Sequence, residues 1–271
     1  SLLLKGIHCE SVELNFVSAG RAKELFAAIE SAMWASRTDL KHVHGSIAAD
    51  PLGRLMVNGR LCVPVDEGLE YLADIVSESE TIPGLRCVQP SGTLFSNAGV
   101  GPATELACTL SLGNEYMGYL TSKGIKPDIA ASQILFSFGI GPDFFKEIAR
   151  MRAARMICAI ILKGYAPRND ASTMMNIHAV TGRWNKTLYD PYVNMLRTQT
   201  EAMSAVLGGA DTITVEPFDI IFRDPDNFSE RIARNQQLLL MEESHLDKVA
   251  DPGAGSYYIE ELTSLIAGEA W

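Results

Sequence analysis

Six short apolar runs, most of them followed by a stretch with helical spacing, restrict this chain to an α/β fold. The runs are Val12–Val17, Val43–Ala48, Leu85–Gln89, Ile134–Phe138, Met174–Val180 and Thr212–Val215. Each is strand length, and the intervening segments are long enough for crossover helices. After Trp184, Asp190 stands as an N-cap, Pro191 as the first helical residue and Gly208 just past the end. Val193, Leu196, Met203, Val206 and Leu207 would form the apolar stripe of that helix. A second clear helix spans about Asp143 to Lys163, with Phe144, Phe145, Ile148, Met151, Ile157 and Ile161 inward. Repeated β/α units imply a parallel sheet, either open and doubly wound or closed as a barrel. No GxGxxG opens a helix, which weakens the dinucleotide-binding version. About six units are present where a closed barrel needs eight.

Composition removes several function classes. The formal charge of -10 argues against a general nucleic-acid binder, which needs a basic face for phosphates. Five scattered cysteines without a CxxC pair read as reduced thiols, not as a disulfide framework or zinc site. No run of ~20 apolar residues suits a membrane span, and no signal peptide is visible. A cytoplasmic protein is the expectation. The chain begins at Ser1 without methionine and stops at Trp271 inside a helical stretch, so a fragment of a longer protein is expected.

Few motifs carry chemistry. His178 falls near the end of the fifth strand run, where a barrel places an acid, a base or a ligand, although a hydrogen-bonded structural histidine accounts for it as well. His42 and His44 lack carboxylates at metal spacing, and His8 with Cys9 is incidental, so no metal site is expected. Arg150, Arg152 and Arg155 share a helix and could face a phosphate or simply water. The turns Gly139-Ile-Gly141, Gly208-Gly209 and Gly253-Ala-Gly255 suit either a ligand approach or a cap. There is no Ser-His-Asp spacing, no HExxH and no P-loop.

Longer blocks are more telling. Arg183-Trp-Asn-Lys-Thr-Leu-Tyr-Asp-Pro-Tyr-Val-Asn-Met-Leu-Arg197 continues through Glu201-Ala-Met-Ser-Ala-Val-Leu-Gly-Gly-Ala to Pro217-Phe-Asp219. Phe138-Gly-Ile-Gly-Pro-Asp-Phe-Phe-Lys-Glu-Ile-Ala-Arg-Met-Arg-Ala-Ala-Arg155 precedes it, and Lys248-Val-Ala-Asp-Pro-Gly-Ala-Gly-Ser-Tyr257 follows. Asn97-Ala-Gly99 with Glu105-Leu-Ala and the Glu242-Glu-Ser run complete the set. In this order the blocks resemble the barrel domain of the coenzyme-B12-dependent methylmalonyl-CoA mutase family over nearly the whole chain.

The resemblance implies an incomplete (β/α)8 TIM-type barrel, residues 1–271 supplying about its third to eighth strands, with the cobalamin-binding domain and its DxHxxG signature absent. It implies the interconversion of methylmalonyl-CoA and succinyl-CoA, in which the barrel encloses an acyl-CoA and shields radicals. It also points to the small, non-catalytic subunit. Where catalytic chains end the fifth strand in Ser-Gly-Tyr-His, this chain has Ser91-Gly92-Thr93-Leu94. A glutamine becomes Ala48, an arginine Asn58 and a lysine Gly84, while Arg-Leu-Ser becomes Gln133-Ile-Leu135. The vestigial cofactor-facing positions would be His178, Arg183, where a glycine is replaced, and Ile220, where a glutamate is replaced. An anionic thioester needs polar partners in a dry site, and these replacements leave its charge uncompensated. The implied partner is a homologous catalytic subunit that binds adenosylcobalamin, joined through helix faces and the Asp251–Tyr258 segment. A mutase subunit acting on an altered acyl-CoA and a CoA-binding module without chemistry are the other readings.

Overall fold

The computed structural model describes residues 3–18 and 20–271. Its strands are β1 (Leu14–Val17), β2 (Gly45–Ala49), β3 (Leu85–Val88), β4 (Phe136–Ile140), β5 (Ile177–Thr181) and β6 (Thr212–Thr214). The helices, in chain order, are α1 (Ala22–Ser36), α2 (Pro51–Asn58), α3 (Val65–Glu78), α4 (Thr93–Asn97) and α5 (Pro102–Ser122). They continue with α6 (Pro127–Ser132), α7 (Phe144–Lys163), α8 (Asn194–Leu207), α9 (Asn227–Leu238) and α10 (Tyr257–Ala270). Every strand expected from the sequence is present, shifted by a few residues at its ends.

The chain divides into two compact units that interleave in sequence. The first comprises Ser1–Pro90, Leu112–Leu135 and Leu162–Thr173; the second comprises Ser91–Ser111, Phe136–Ile161 and Met174–Trp271. In the first unit β1, β2 and β3 form a parallel sheet in that order, with Leu14 opposite Gly45 and Gly45 opposite Leu85. Helices α1 and α3 bury Phe26, Ile29, Met33, Leu72, Ile75 and Val76. Local chemistry sets the ends of α2: the Asp50 carboxylate accepts from Gly53 N at 2.9 Å, Pro51 opens the helix, and Gly59 closes it at φ 67°. Tyr116 Oη accepts from Leu52 N at 3.0 Å and donates to Asp50 at 2.5 Å, anchoring the same turn.

In the second unit β4, β5 and β6 form another parallel sheet, with Ser137 opposite His178 and His178 opposite Thr212. All five residues of β4 are buried, as expected for a parallel strand covered on both faces. Two isolated bridges, Val88 with Ile134 in the first unit and Ser91 with Ser137 in the second, are also parallel. Antiparallel pairing of the third and fourth strand runs would have contradicted the barrel order. A capping box opens α9: Asp226 accepts from Phe228 N and Ser229 N, and Ser229 Oγ accepts from Asp226 N.

Two sequence expectations fail at the level of helix faces. Leu196, assigned to the buried stripe of α8, is 67% exposed, and that helix instead buries Asn194, Thr198, Glu201, Ala202, Ser204 and Ala205. Phe145 is half-exposed, its ring edge-on to Tyr258 at 5.7 Å. Asp190 adopts a left-handed conformation ahead of a short 3-10 turn and caps nothing with its side chain. Among the described residues no helix is long and apolar enough to cross a membrane.

Candidate functional site

The C-terminal ends of β4 and β5 surround a cavity of about 240 Å³ in the second unit, between the Gly139-Ile-Gly141 turn, the residues Gly182, Trp184 and Asn185, and the stretch Gly99–Pro102 with Glu105. Beneath it lies a group of charges sealed from solvent. Glu105 Oε1 accepts from Gly139 N at 2.8 Å, and its Oε2 accepts from Arg150 Nη1. Arg150 Nη2 donates to Gly139 O at 2.7 Å and lies 2.5 Å from Glu147 Oε2. Glu147 Oε1 accepts from Gly141 N at 3.0 Å. The guanidinium also stands over the Phe138 ring at 5.2 Å. Two carboxylates thus share one cation while fixing the backbone of the turn that walls the cavity.

Burial is the main influence on these groups. It pushes the Glu105 carboxyl up to about 7, against the attraction of Arg150. Glu147 is raised for the same reason. A second buried pair adjoins: Lys186 Nζ is 2.7 Å from each Glu201 carboxylate oxygen, and Asn185 Nδ2 donates to Glu201 at 2.6 Å. Burial lowers Lys186 and raises Glu201.

The arginines of α7 differ in what holds them: Arg150 lies inside the fold, while Arg152 and Arg155 are tied to protein groups at its partly exposed surface. Arg150 is fully buried. Arg152 grips Asp251 and Glu260, and donates to Thr263 at 3.1 Å. Arg155 donates to the carbonyls of Met175 and Gly209 and to Asp211. For His178 the hydrogen-bonded structural reading holds, and its placement at the strand end does not. It is the second residue of β5, at the strand's start, away from the C-terminal end where chemistry gathers. Its Nδ1 lies 3.3 Å from Ser137 Oγ and its Nε2 2.9 Å from Thr214 Oγ1, and burial brings its pKa down to about 4. Arg183 reaches over the strand end to a two-point ion pair with Glu216, while its N–H donates to Asn97 Oδ1 at 2.8 Å.

The other positions marked in the sequence divide between the units. In the second, Thr93 opens α4 with its hydroxyl 2.7 Å from Ser91 Oγ, Leu94 is half-buried on that helix, and Ile220 sits half-buried in the turn after β6. In the first, Asn58 is exposed at the end of α2, and the Ala48 carbonyl accepts from Ser18 Oγ. Gln133 is buried, its side-chain carbonyl accepting from Cys87 N at 3.1 Å, so its amide is committed to the sheet. Leu135 is buried and donates its N–H to Val88 O. A Cβ at Gly84 would stand 2.4 Å from Val43 O, so only glycine allows that approach.

Sequence reasoning passed over Glu105, Glu147, Lys186 and Glu201. A usable signal existed in Glu147 and Arg150, which stand three residues apart directly after a Gly-Ile-Gly turn. Among the described residues no three His, Cys, Asp or Glu side chains gather as metal ligands.

Comparison with known proteins places these features in a lineage. The sequence model of methylmalonyl-CoA mutase matches residues 1–271. The chain is 44% identical over 271 residues to the methylmalonyl-CoA mutase small subunit of Porphyromonas gingivalis, covering 99% of this chain and 43% of that protein. It is 39% identical over 254 residues to the small subunit of Streptomyces virginiae, covering 94% and 40%. With the large subunit of Porphyromonas gingivalis it shares 33% identity over 271 residues, covering 100% and 38%. The chain therefore spans about two fifths of the length of these relatives, and it belongs to the methylmalonyl-CoA mutase family.

Proposed function

We propose that this chain is part of an incomplete (β/α)8 barrel domain, its third to eighth strands, in a small, non-catalytic mutase subunit. In this reading it serves the folding and assembly of a catalytic homologue that interconverts methylmalonyl-CoA and succinyl-CoA. The observation that carries the reading is the chemistry at the positions where catalytic chains hold the acyl group. Thr93 and Leu94 stand where the resemblance puts tyrosine and histidine, and Leu135 and Ile220 replace polar side chains. An acyl-CoA carboxylate set among such residues would lose hydration without gaining a partner, at a cost of several kcal/mol, about 2–7 for a polar group alone. A subunit kept for assembly needs the buried ionic framework and the helix caps, and those are intact.

The residues present do not fit adenosylcobalamin. Position 183 carries a guanidinium engaged with Glu216 at the strand ends, and His178 hydrogen-bonds across the start of its strand. We assign the cofactor to the partner. Porphyromonas gingivalis has relatives named as small and large subunits, and both align with this chain, which supports a pair of homologous chains. The exposed Tyr257 and Tyr258 beside the Arg152 anchor are suited to that contact.

The test is co-expression of the full-length protein with its large-subunit homologue. Co-elution at micromolar concentration is expected, with mutase turnover that vanishes when the large subunit's Tyr-His pair is replaced. Separate elution, with the large subunit fully active alone, would overturn the proposal, as would turnover by the small subunit by itself.

A further inference from the structure

Asn58 is the one asparagine of the sequence that is followed by glycine. A glycine nitrogen has no side chain beside it, so a neighbouring group can approach it unhindered. The space around Gly59 is open as well, since a Cβ built there would meet no atom within 4 Å. The pair sits at the exposed C-terminal end of α2, with Asn58 the last helical residue and Gly59 the left-handed cap at φ 67°. One hydrogen bond holds it there. Gly59 N donates to Leu55 O at 2.8 Å, and the helical backbone keeps that nitrogen away from the Asn58 side chain.

The two ends of α2 are held unequally. Asp50 and Tyr116 fix its first turn, whereas Met56, Val57, Asn58 and Gly59 are all exposed and Leu55 is only half-buried. A helix of eight residues does not persist without packing, so its unpacked last turn opens at little cost. We propose that Asn58 is a site of spontaneous deamidation, gated by the opening of that turn. Once it opens, the Gly59 nitrogen gives up its proton and bonds to Asn58 Cγ. The Cγ–Nδ2 bond breaks, and the amide nitrogen leaves as ammonia with that proton, closing a five-membered succinimide. Water then adds at one ring carbonyl. Cleavage of the new Cγ–N bond leaves aspartate; cleavage on the backbone-carbonyl side leaves isoaspartate, whose main chain runs through the side-chain carbons. Either product places a negative charge at the negative end of the helix dipole, offset in part for aspartate by Arg54 one turn back. Isoaspartate also lengthens the main chain by one carbon, so Gly59 N no longer meets Leu55 O and the turn stays open. The reaction needs water alone and holds whether or not the subunit reading is right.

The experiment is timed incubation of the full-length protein, followed by trypsin digestion and mass spectrometry of the peptide 55–60, which Arg54 and Arg60 bound. Conversion at residue 58 should outpace that at every other asparagine and give two products of equal mass that separate by chromatography. It should run faster at pH 8 than at pH 6, because the attacking nitrogen must lose its proton. In guanidinium the same site should convert at least about 2-fold faster than in the folded protein, the worth of one weak hydrogen bond. Gly59→Ala, compared with the wild type in guanidinium, where the strain of a left-handed alanine plays no part, should slow the conversion because its methyl crowds the nitrogen. Residue 58 converting no faster than the other asparagines at pH 8 would overturn the proposal. Equal rates in the folded and unfolded protein would overturn it as well, since the turn would then gate nothing.

Discussion

The two units solve the same problem, a three-stranded parallel sheet under helices, with opposite interiors. The first is packed as hydrocarbon, with Leu72, Ile75, Val76, Ile82, Leu85 and Val88 fully buried and its ion pairs, such as Lys23 with Asp74 and Glu78, on the surface. The second holds every buried carboxylate and guanidinium among the described residues: Glu105, Glu147, Arg150, Glu201 and Asp219. The difference teaches that sheet topology does not dictate core chemistry. The apolar interior draws stability from contact area and tolerates change locally. The ionic one is stable only while all its members are present, because one missing partner strands a charge in a low-dielectric site.

The largest expected effect follows from that. Arg150→Met should destabilise the second unit by about 3–5 kcal/mol, seen as an early transition in urea unfolding, because two carboxylates are left facing each other. Replacing the whole triad by apolar residues of similar volume should recover most of the loss. If the triple variant is as unstable as Arg150→Met, the contrast between the units is wrong. In the first unit Leu72→Ala should cost about 3 kcal/mol with no pH dependence, the ordinary result of opening a cavity.

Protons sharpen the comparison further. His178 has a folded pKa of about 4 against 6.5, so between these values the unfolded chain takes up a proton that the folded chain refuses. Its contribution is complete above pH 6.5 and is lost as the pH falls toward 4, about 3 kcal/mol in all. Glu105 runs the other way. Raised to about 7, it favours the fold at low pH and withdraws that support as the pH rises from 4.5 to 7. Unfolding free energies of the wild type and His178→Asn from pH 7 to 4 separate the two, and the variant should lose less on acidification. The smallest effect is expected at the surface of the first unit, where Lys23→Met should change stability by no more than about 0.5 kcal/mol.

The same contrast explains what could be read from the sequence. The strands were legible because parallel strands are short and mostly apolar; Phe136–Ile140 and Leu85–Val88 each carry enough large hydrophobes to stand out from the helical stretches around them. The α2 and α9 termini follow local rules of capping that need no tertiary knowledge. The buried face of α8 was illegible because Asn194, Thr198 and Glu201 look like solvent residues until their partners are known. Asn194 Nδ2 donates to the carbonyls of Thr187 and Phe218, and its Oδ1 accepts from Thr187 N, contacts that no periodicity encodes. Arg150, Arg152 and Arg155 likewise look alike in sequence and differ only in what the fold brings to them. The family-derived positions held a further ambiguity. Gly84, where the resemblance puts a lysine, is also a backbone contact that excludes any side chain.

Arg152 carries one more consequence, for the order of folding. Its bonds to Asp251 and Glu260 join residues 99 and 108 positions apart in the chain. Closing a loop of that size costs entropy before any contact rewards it, roughly (3/2)RT ln n by the ideal-chain relation. Helix α10 therefore gains its tether only after α7 is built and held. A ribosome delivers α7 long before α10, so α7 waits with its Asp251 and Glu260 partners unmade through the synthesis of the intervening segment. The clasp is the late step of assembly, and high salt should delay it more than it delays the formation of either sheet.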